Sequence, residues 1–436
     1  VTLDADKYAA VIASVDPITL SGKVSQVIGL VIESEGPAVS IGENCMIENE
    51  SGTATVRCEV VGFRDKKVLL MPLGHVAGIA PGSRVIATRE PLVVHVGHEL
   101  LGRVINGLGQ PIDGAGPIDT AARRTITQAA PDPMKRRRIT EPLATGIRAI
   151  DGMLTCGKGQ RVGIFSGSGV GKSVLLGMVA RNSEADVNVI ALVGERGREL
   201  RDFLDKDLKT DGLKRSVVVA VTSDQPSLIR VKGAMTATAI AEYFRDMGLD
   251  VMLMMDSVTR VAMAQREIGL AIGEPPTSKG YTPSVFAFLP RLLERSGTSD
   301  LGSITGLYTV LVEGDDMTEP VADAVRSILD GHIVLSRKLA NQNHYPAVDV
   351  LESVSRLMID VVGDQHAAAA NRIREILATY RESEDLINIG AYNKGSNPKI
   401  DLAIERIGPI TEFLRQGIAD PANFDDTVED LIGLAA

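Results

Sequence analysis

The sequence predicts an α/β protein in which a parallel-sheet core is preceded by a small N-terminal β-barrel and followed by an α-helical domain. Three observations predict it. From about residue 146, near-continuous apolar runs alternate with helical segments, as strands buried on both faces alternate with crossover helices. Residues 21–90 instead carry short alternating segments between closely spaced turns, which suits a small barrel. Beyond about residue 350 no strand signal persists, and apolar residues recur at helical spacing.

The elements follow in chain order. Residues 1–20 read as a short lead-in, with helical spacing around Tyr8 to Ile12. In the barrel, Val56-Arg57-Cys58-Glu59-Val60 alternates apolar and polar, and 67–71 and 84–88 read alike, with turns at Pro72 to Gly74 and Pro81-Gly82. Residues 97–145 are rich in Gly and Pro and read as a long connection rather than core. Strands are then expected at 162–165, 187–193, 216–221, 251–255, 304–312 and 332–335, and helices at 172–182, 197–208, 227–247 and 258–270. Helical spacing over 361–380 and 400–416 makes the tail all-helical. The expected boundaries are 1–20 for the lead-in, 21–92 for the barrel, 93–348 for the core with its N-terminal linker, and 349–436 for the helical domain.

Composition narrows the classes. The chain has 436 residues, more than one core accommodates, with 44% hydrophobic and 23% charged residues, as in ordinary globular proteins. A net charge of −10 gives no global basic field for nucleic acid. Phe63 is the one aromatic residue in 21–90, so the barrel lacks a stacking platform for bases. Cys45, Cys58 and Cys156 are scattered and odd in number, which points to a reducing compartment. No apolar run approaches the roughly 18 residues that span a membrane, and the first residues carry Asp4, Asp6 and Lys7 rather than a signal-peptide core. The basic run Lys135-Arg136-Arg137-Arg138 lies between prolines and reads as a solvated hinge or as an anchor for phosphates or an acidic partner.

The chemistry centres on Ser166-Gly167-Ser168-Gly169-Val170-Gly171-Lys172-Ser173, which follows an apolar strand and opens a helix. Glycines let successive main-chain N–H groups turn inward on an anion, and the helix N-terminus adds partial positive charge. Lys172 can then reach the terminal phosphates and the Ser173 hydroxyl can ligate Mg²⁺. The first position is Ser166 where the strict pattern has Gly. Met252-Leu253-Met254-Met255-Asp256 is an apolar strand ending in a carboxylate, and downstream of a phosphate loop that carboxylate suits Mg²⁺. In Gly194-Glu195-Arg196-Gly197-Arg198-Glu199, Glu195 ends another such strand. It either polarises an attacking water or belongs to a surface ion-pair cluster. Arg260 and Arg356 are candidates for stabilising phosphoryl charge, against the plainer role of salt-bridge donors. Tyr345, beside Pro346, either stacks on a base or packs into the core.

These motifs resemble the catalytic ATPases of type III protein export, relatives of the catalytic subunit of the rotary ATP synthase. The resemblance covers essentially the whole chain. It rests on Leu154-Thr155-Cys156-Gly157-Lys158-Gly159-Gln160-Arg161, on the phosphate loop, on Gly194 to Glu199, on Leu329 to Arg337 and on His344 to Asp349. Its most discriminating stretch is Gly280-Tyr281-Thr282-Pro283-Ser284-Val285-Phe286-Ala287-Phe288-Leu289-Pro290-Arg291-Leu292-Leu293-Glu294-Arg295, where synthase subunits look different. Gly390-Ala391-Tyr392-Asn393-Lys394-Gly395-Ser396-Asn397-Pro398 is more similar to the flagellum-specific branch, with Asn397 where the usual flagellar form has Asp.

The resemblance implies a RecA-like P-loop core, a homohexameric ring and ATP with Mg²⁺ between subunits. It implies that Gly167, Ser168, Gly169, Val170, Gly171 and Lys172 hold phosphates, that Ser173 and Asp256 serve Mg²⁺, and that Glu195 polarises the water. Arg196 and Arg260 would lie near the γ-phosphate, Arg356 would reach the neighbouring subunit's nucleotide, and Tyr345 would pack on adenine. The implied partners are a peripheral stalk-like regulator, a coiled-coil central stalk meeting the loop 390–398, export chaperone–substrate complexes and a membrane export gate, with no nucleic acid. The implied place is the cytoplasm, at the inner face of the plasma membrane. Competing functions are a virulence injectisome ATPase, a non-catalytic nucleotide-binding ring subunit, against which the presence of Glu195 speaks, and a nucleic-acid-translocating hexamer, against which the charge and the barrel speak.

Overall fold

The computed structural model describes residues 19–49, 55–74, 76–120, 122–312, 314 and 316–436. The expected helix around Tyr8 to Ile12 lies outside them. The described residues up to Leu92, with Glu267–Glu274, form one compact unit, and those of Val93–Arg266 with Pro275–Ala436 form the other.

The first unit is a closed barrel of β1 (Ser21–Ile28), β2 (Val31–Glu35), β3 (Glu43–Glu48), β4 (Thr55–Arg64), β5 (Lys67–Pro72) and β6 (Arg84–Pro91), in the order β1-β2-β5-β4-β3-β6. All pairings are antiparallel, so side chains alternate between the interior and the outside. The interior holds Val24, Ile32, Cys45, Ile47, Cys58, Val60, Val68, Leu70 and Val85. Cys45 and Cys58 stand opposite each other on β3 and β4, and burial pushes both thiols up to about 12.

In the second unit β7 (Val93–Val96) pairs with β9 (Ala122–Thr125), while β8 (Val104–Ile105) joins the main sheet. That sheet continues with β10 (Arg161–Ser166), β11 (Val187–Glu195), β12 (Ser216–Thr222), β13 (Asp250–Asp256), β14 (Gly297–Thr298), β15 (Ser303–Leu311), β16 (Gly331–Leu335) and β17 (Val348–Ser355). The order is β17-β16-β10-β15-β13-β11-β12-β8, parallel except for β17, with β14 antiparallel to β15. Strands β11 and β13 are buried along almost their whole length, which accounts for their unbroken apolar runs. The helix Ser227–Asp246 covers β11, β12 and β13 with Ala234, Ala237, Ile240, Ala241 and Phe244.

Three expectations need correction. Residues 97–145 are more than a connection: β8 extends the sheet edge, and Leu100, Val104, Ile105, Ile126 and Leu143 are buried core residues. Two-residue strands among Gly and Pro leave too short an alternation to read. The sheet also runs past residue 350, because β17 returns antiparallel on β16. Its half-exposed edge placement dilutes the apolar signal of a central strand. Finally, the basic run is exposed at Lys135, Arg137 and Arg138, as a solvated segment is, but its arginines are not free. Arg136 donates to the carbonyls of Glu294 and Ser296, Arg137 to that of Ser299 at 3.0 Å, and Arg138 pairs with Asp360 at 2.9 Å. These arginines strap the connection onto the unit.

The tail is helical over Asp364–Asn388, Pro398–Leu414 and Phe424–Ala435. Ala369, Ala370, Ile373 and Ile376 follow helical spacing into a core shared with Ala403, Ile410, Phe413 and Leu431. Arg148 donates to the Phe413 carbonyl at 2.9 Å, and the His366 ring bonds the Gly152 carbonyl at 2.8 Å. Asn397 caps the second of these helices by accepting from the Lys399 N–H at 3.0 Å. Asp does the same job at an N-cap, so the Asn at this position keeps the local structure.

Candidate nucleotide site

The site is built at the carboxyl ends of the central parallel strands, where open α/β sheets receive ligands. Strand β10 ends at Ser166, the loop 167–171 turns back, and the helix Lys172–Asn182 starts. Gly169 (φ 78°) and Gly171 (φ 93°) occupy the left-handed region, so the turn needs glycine at both. Ser168 and Gly169 are exposed while Val170 is buried and pins the loop to the core, and Ser173 is exposed in the first helical turn.

Lys172, Glu195 and Asp256 come together here from three elements. The Lys172 ammonium donates to the Asp256 carboxylate and lies 3.8 Å from Glu195. Their side chains are only 12%, 15% and 3% exposed, respectively, so the charges act through little water. Register explains the meeting: Leu192 on β11 pairs with Asp256 on β13, and Glu195 ends β11 after a bulge at Gly194 (φ 75°). Burial and the Asp256 charge push the Glu195 carboxyl up to about 7, with Lys172 and Arg260 opposing. One ammonium thus serves two carboxylates.

Sequence reasoning missed Thr309. Met255 pairs with Tyr308 on β15, which sets Thr309 beside Asp256, and its hydroxyl donates to the carboxylate at 2.8 Å. A threonine inside a buried strand carries no sequence signal for this. Neighbouring Thr259 accepts from the Leu311 N–H at 2.9 Å and ties β15 to the turn after Asp256.

The other expected residues surround this cluster unequally. Arg260 packs its aliphatic stem against Gly194, where an added Cβ would meet it at 3.0 Å. Arg196 is exposed and lies 3.8 Å from Glu199. Tyr345 is 41% exposed, and its ring edge would lie 3.5 Å from a Cβ on Gly171. It is therefore not a core residue but a wall beside the phosphate loop. Arg356, after β17, is exposed and makes no ion pair among the described residues. It does not join Lys172, Glu195 and Asp256. The Ser166 hydroxyl is buried without a hydrogen-bond partner, and nothing in the structure explains Ser at this position beyond its small size.

The donor set suits Mg²⁺ held jointly with phosphates. Among the described residues no cluster of three or more His, Cys, Asp or Glu forms a self-contained metal cage. Mg²⁺ commonly takes one or two carboxylates and completes its shell with phosphates and water. Here Lys172, Glu195 and Asp256 together carry a surplus negative charge, and the hydroxyl of Ser173, next to Lys172, is exposed in the first helical turn.

The models of known families divide the chain as its architecture does. The ATP synthase alpha/beta family beta-barrel domain matches residues 24–89, its nucleotide-binding domain matches 146–355, and the T3SS EscN ATPase C-terminal domain matches 362–433. A flagellum-specific ATP synthase of Bacillus subtilis is 60% identical over 415 residues, 95% of this chain and 94% of its own. The chain belongs to the type III protein-export ATPases. A type 3 secretion system ATPase of Xanthomonas euvesicatoria is 53% identical, covering 94% of this chain and 92% of its own. The assembled ATPase EscN of enteropathogenic E. coli, solved in complex with its central stalk EscO, matches with a TM-score of 0.88 at 45% identity. That match covers 95% of this chain and 100% of EscN. As in other export ATPases, the barrel, the RecA-like P-loop core with its parallel sheet and the helical domain follow one another in that order.

Proposed function

We propose that this chain hydrolyses Mg²⁺-ATP to energise export of flagellar proteins through a type III secretion apparatus, releasing and unfolding substrates delivered by chaperones. The observation that carries the reading is the convergence of Lys172, Glu195 and Asp256 beneath a glycine turn that requires its glycines. The amides of 167–171 and Lys172 hold the phosphates. Ser173 and Asp256 would hold Mg²⁺, which when bound would neutralise phosphate charge. Glu195 orients and polarises the attacking water, and a carboxyl titrating near 7 is matched to such work. Arg260 and Arg196 lie toward the γ-phosphate, and Tyr345 packs on adenine.

The functional assembly is a homohexamer in which Arg356 reaches the neighbouring subunit's nucleotide. An exposed arginine with no ion pair in its own chain, among the described residues, supports this. The relative EscN assembles with a central stalk, and here the loop 390–398 meets an equivalent coiled coil. Further partners are a peripheral stalk-like regulator, export chaperone–substrate complexes and a membrane gate, with no nucleic acid. The proposed place is peripheral, at the inner face of the plasma membrane; no described helix is long and apolar enough to cross a membrane.

A second reading, the virulence injectisome, is favoured by the type 3 secretion relative. A chromosomal Glu195→Gln substitution separates the two. The proposal expects lost flagellar assembly with any effector secretion retained. Intact motility with lost effector secretion overturns the flagellar assignment.

A further inference from the structure

A cavity of about 440 Å³, whose lining includes no residue of the phosphate loop, lies between β17, the short helix Arg337–Asn341 and the tail helices Asp364–Asn388 and Pro398–Leu414. Its size falls in the roughly 300–1,000 Å³ range of small-molecule sites. Leu339, Val350, Leu377, Ile407 and Leu414 give it an apolar body.

Its charged lining is unequally satisfied. Lys338 pairs with Glu384 at 2.8 Å, and Arg381 takes both oxygens of Asp349 at 2.8 Å. Arg415 has no carboxylate among the described residues. Its Nε is buried without a hydrogen-bond partner, and a terminal nitrogen reaches only the Gln342 carbonyl, at 3.5 Å. Beside it stands His344, 5% exposed, whose ring makes no hydrogen bond among the described residues. Burial and the Arg415 charge hold that imidazole below its usual range, so it is neutral and has one N–H to donate. A guanidinium with one orphaned buried N–H and a neutral imidazole donor, side by side at the edge of an apolar cavity, specify their ligand. A carboxylate completes the guanidinium by charge-assisted hydrogen bonds, and an apolar chain displaces water from the rest.

We propose that this cavity is a binding site for a small amphiphile bearing a single carboxylate on an apolar body. The probe is octanoate, titrated calorimetrically into the full chain without nucleotide, with octanamide as the uncharged isostere. Octanoate is expected to bind one site per chain, at least tenfold tighter than octanamide. Arg415→Gln is expected to weaken octanoate at least tenfold and leave octanamide within about twofold. Leu339→Trp, which fills the cavity, is expected to abolish both. Equal affinity for the two probes, no saturable octanoate binding, or undiminished octanoate binding by either variant overturns the proposal. The comparison of probes on the unsubstituted chain decides the matter even if a variant fails to fold.

Discussion

The Lys172 ammonium donates to the Asp256 carboxylate while standing 3.8 Å from Glu195, so one cation faces two carboxylates with little exposure. With both carboxylates ionised the trio carries one excess negative charge, in a place with little water to screen it. This imbalance makes the site receptive to a cation and, after burial, keeps Glu195 easy to protonate.

The imbalance makes stability depend on pH. The Glu195 carboxyl titrates near 7 in the fold, against 4.5 ordinarily. Between those values the folded chain holds a proton that the unfolded chain has released, so the contribution of Glu195 to stability falls as pH rises through the window. Glu195→Gln removes the charge and keeps the shape. Without nucleotide, the variant is expected to be more stable than the parent by about 2 kcal/mol at pH 8 and indistinguishable near pH 4. Thermal melts at the two pH values check it, and a difference that grows toward low pH contradicts it.

Thr309 is expected to matter mainly through Asp256, its nearer acceptor at 2.8 Å, with the Met255 carbonyl at 3.3 Å. Thr309→Val keeps the buried volume but removes the donor to that carboxylate. Urea unfolding should show a loss of about 1–3 kcal/mol, largely restored in Thr309→Ser. An unchanged midpoint would mean that Lys172 alone satisfies Asp256.

Arg356→Ala should abolish ATP turnover without impairing nucleotide binding by the same subunit. Mixing it with Lys172→Ala subunits should restore part of the activity, because intact arginines and intact phosphate loops then meet across some interfaces. Absence of rescue at every mixing ratio would place the site within one chain.

Much of the site was legible because its residues sit where strands end. An apolar run closed by Asp256, another closed by Glu195 and a glycine turn before Lys172 each break a local pattern, and broken patterns show in a sequence. Thr309 breaks none, and its role depends on a register between β13 and β15 that no single strand encodes. The β-barrel was readable from alternation, whereas β8, with two residues, and β17, on a half-exposed edge, offer too little of it. The run from Lys135 to Arg138 is largely exposed, as its charge suggests, but the main-chain carbonyls distant in sequence that occupy Arg136 and Arg137 leave no local signal.

The central claim is that Glu195 acts on water at a site that binds nucleotide without it. The direct measurement is a paired one on Glu195→Gln: equilibrium binding of Mg²⁺-ATP and single-turnover hydrolysis at pH 8. The account predicts binding within a few-fold of the parent and hydrolysis slowed by about 10² to 10⁴. Hydrolysis at the parental rate, with binding intact, would contradict it.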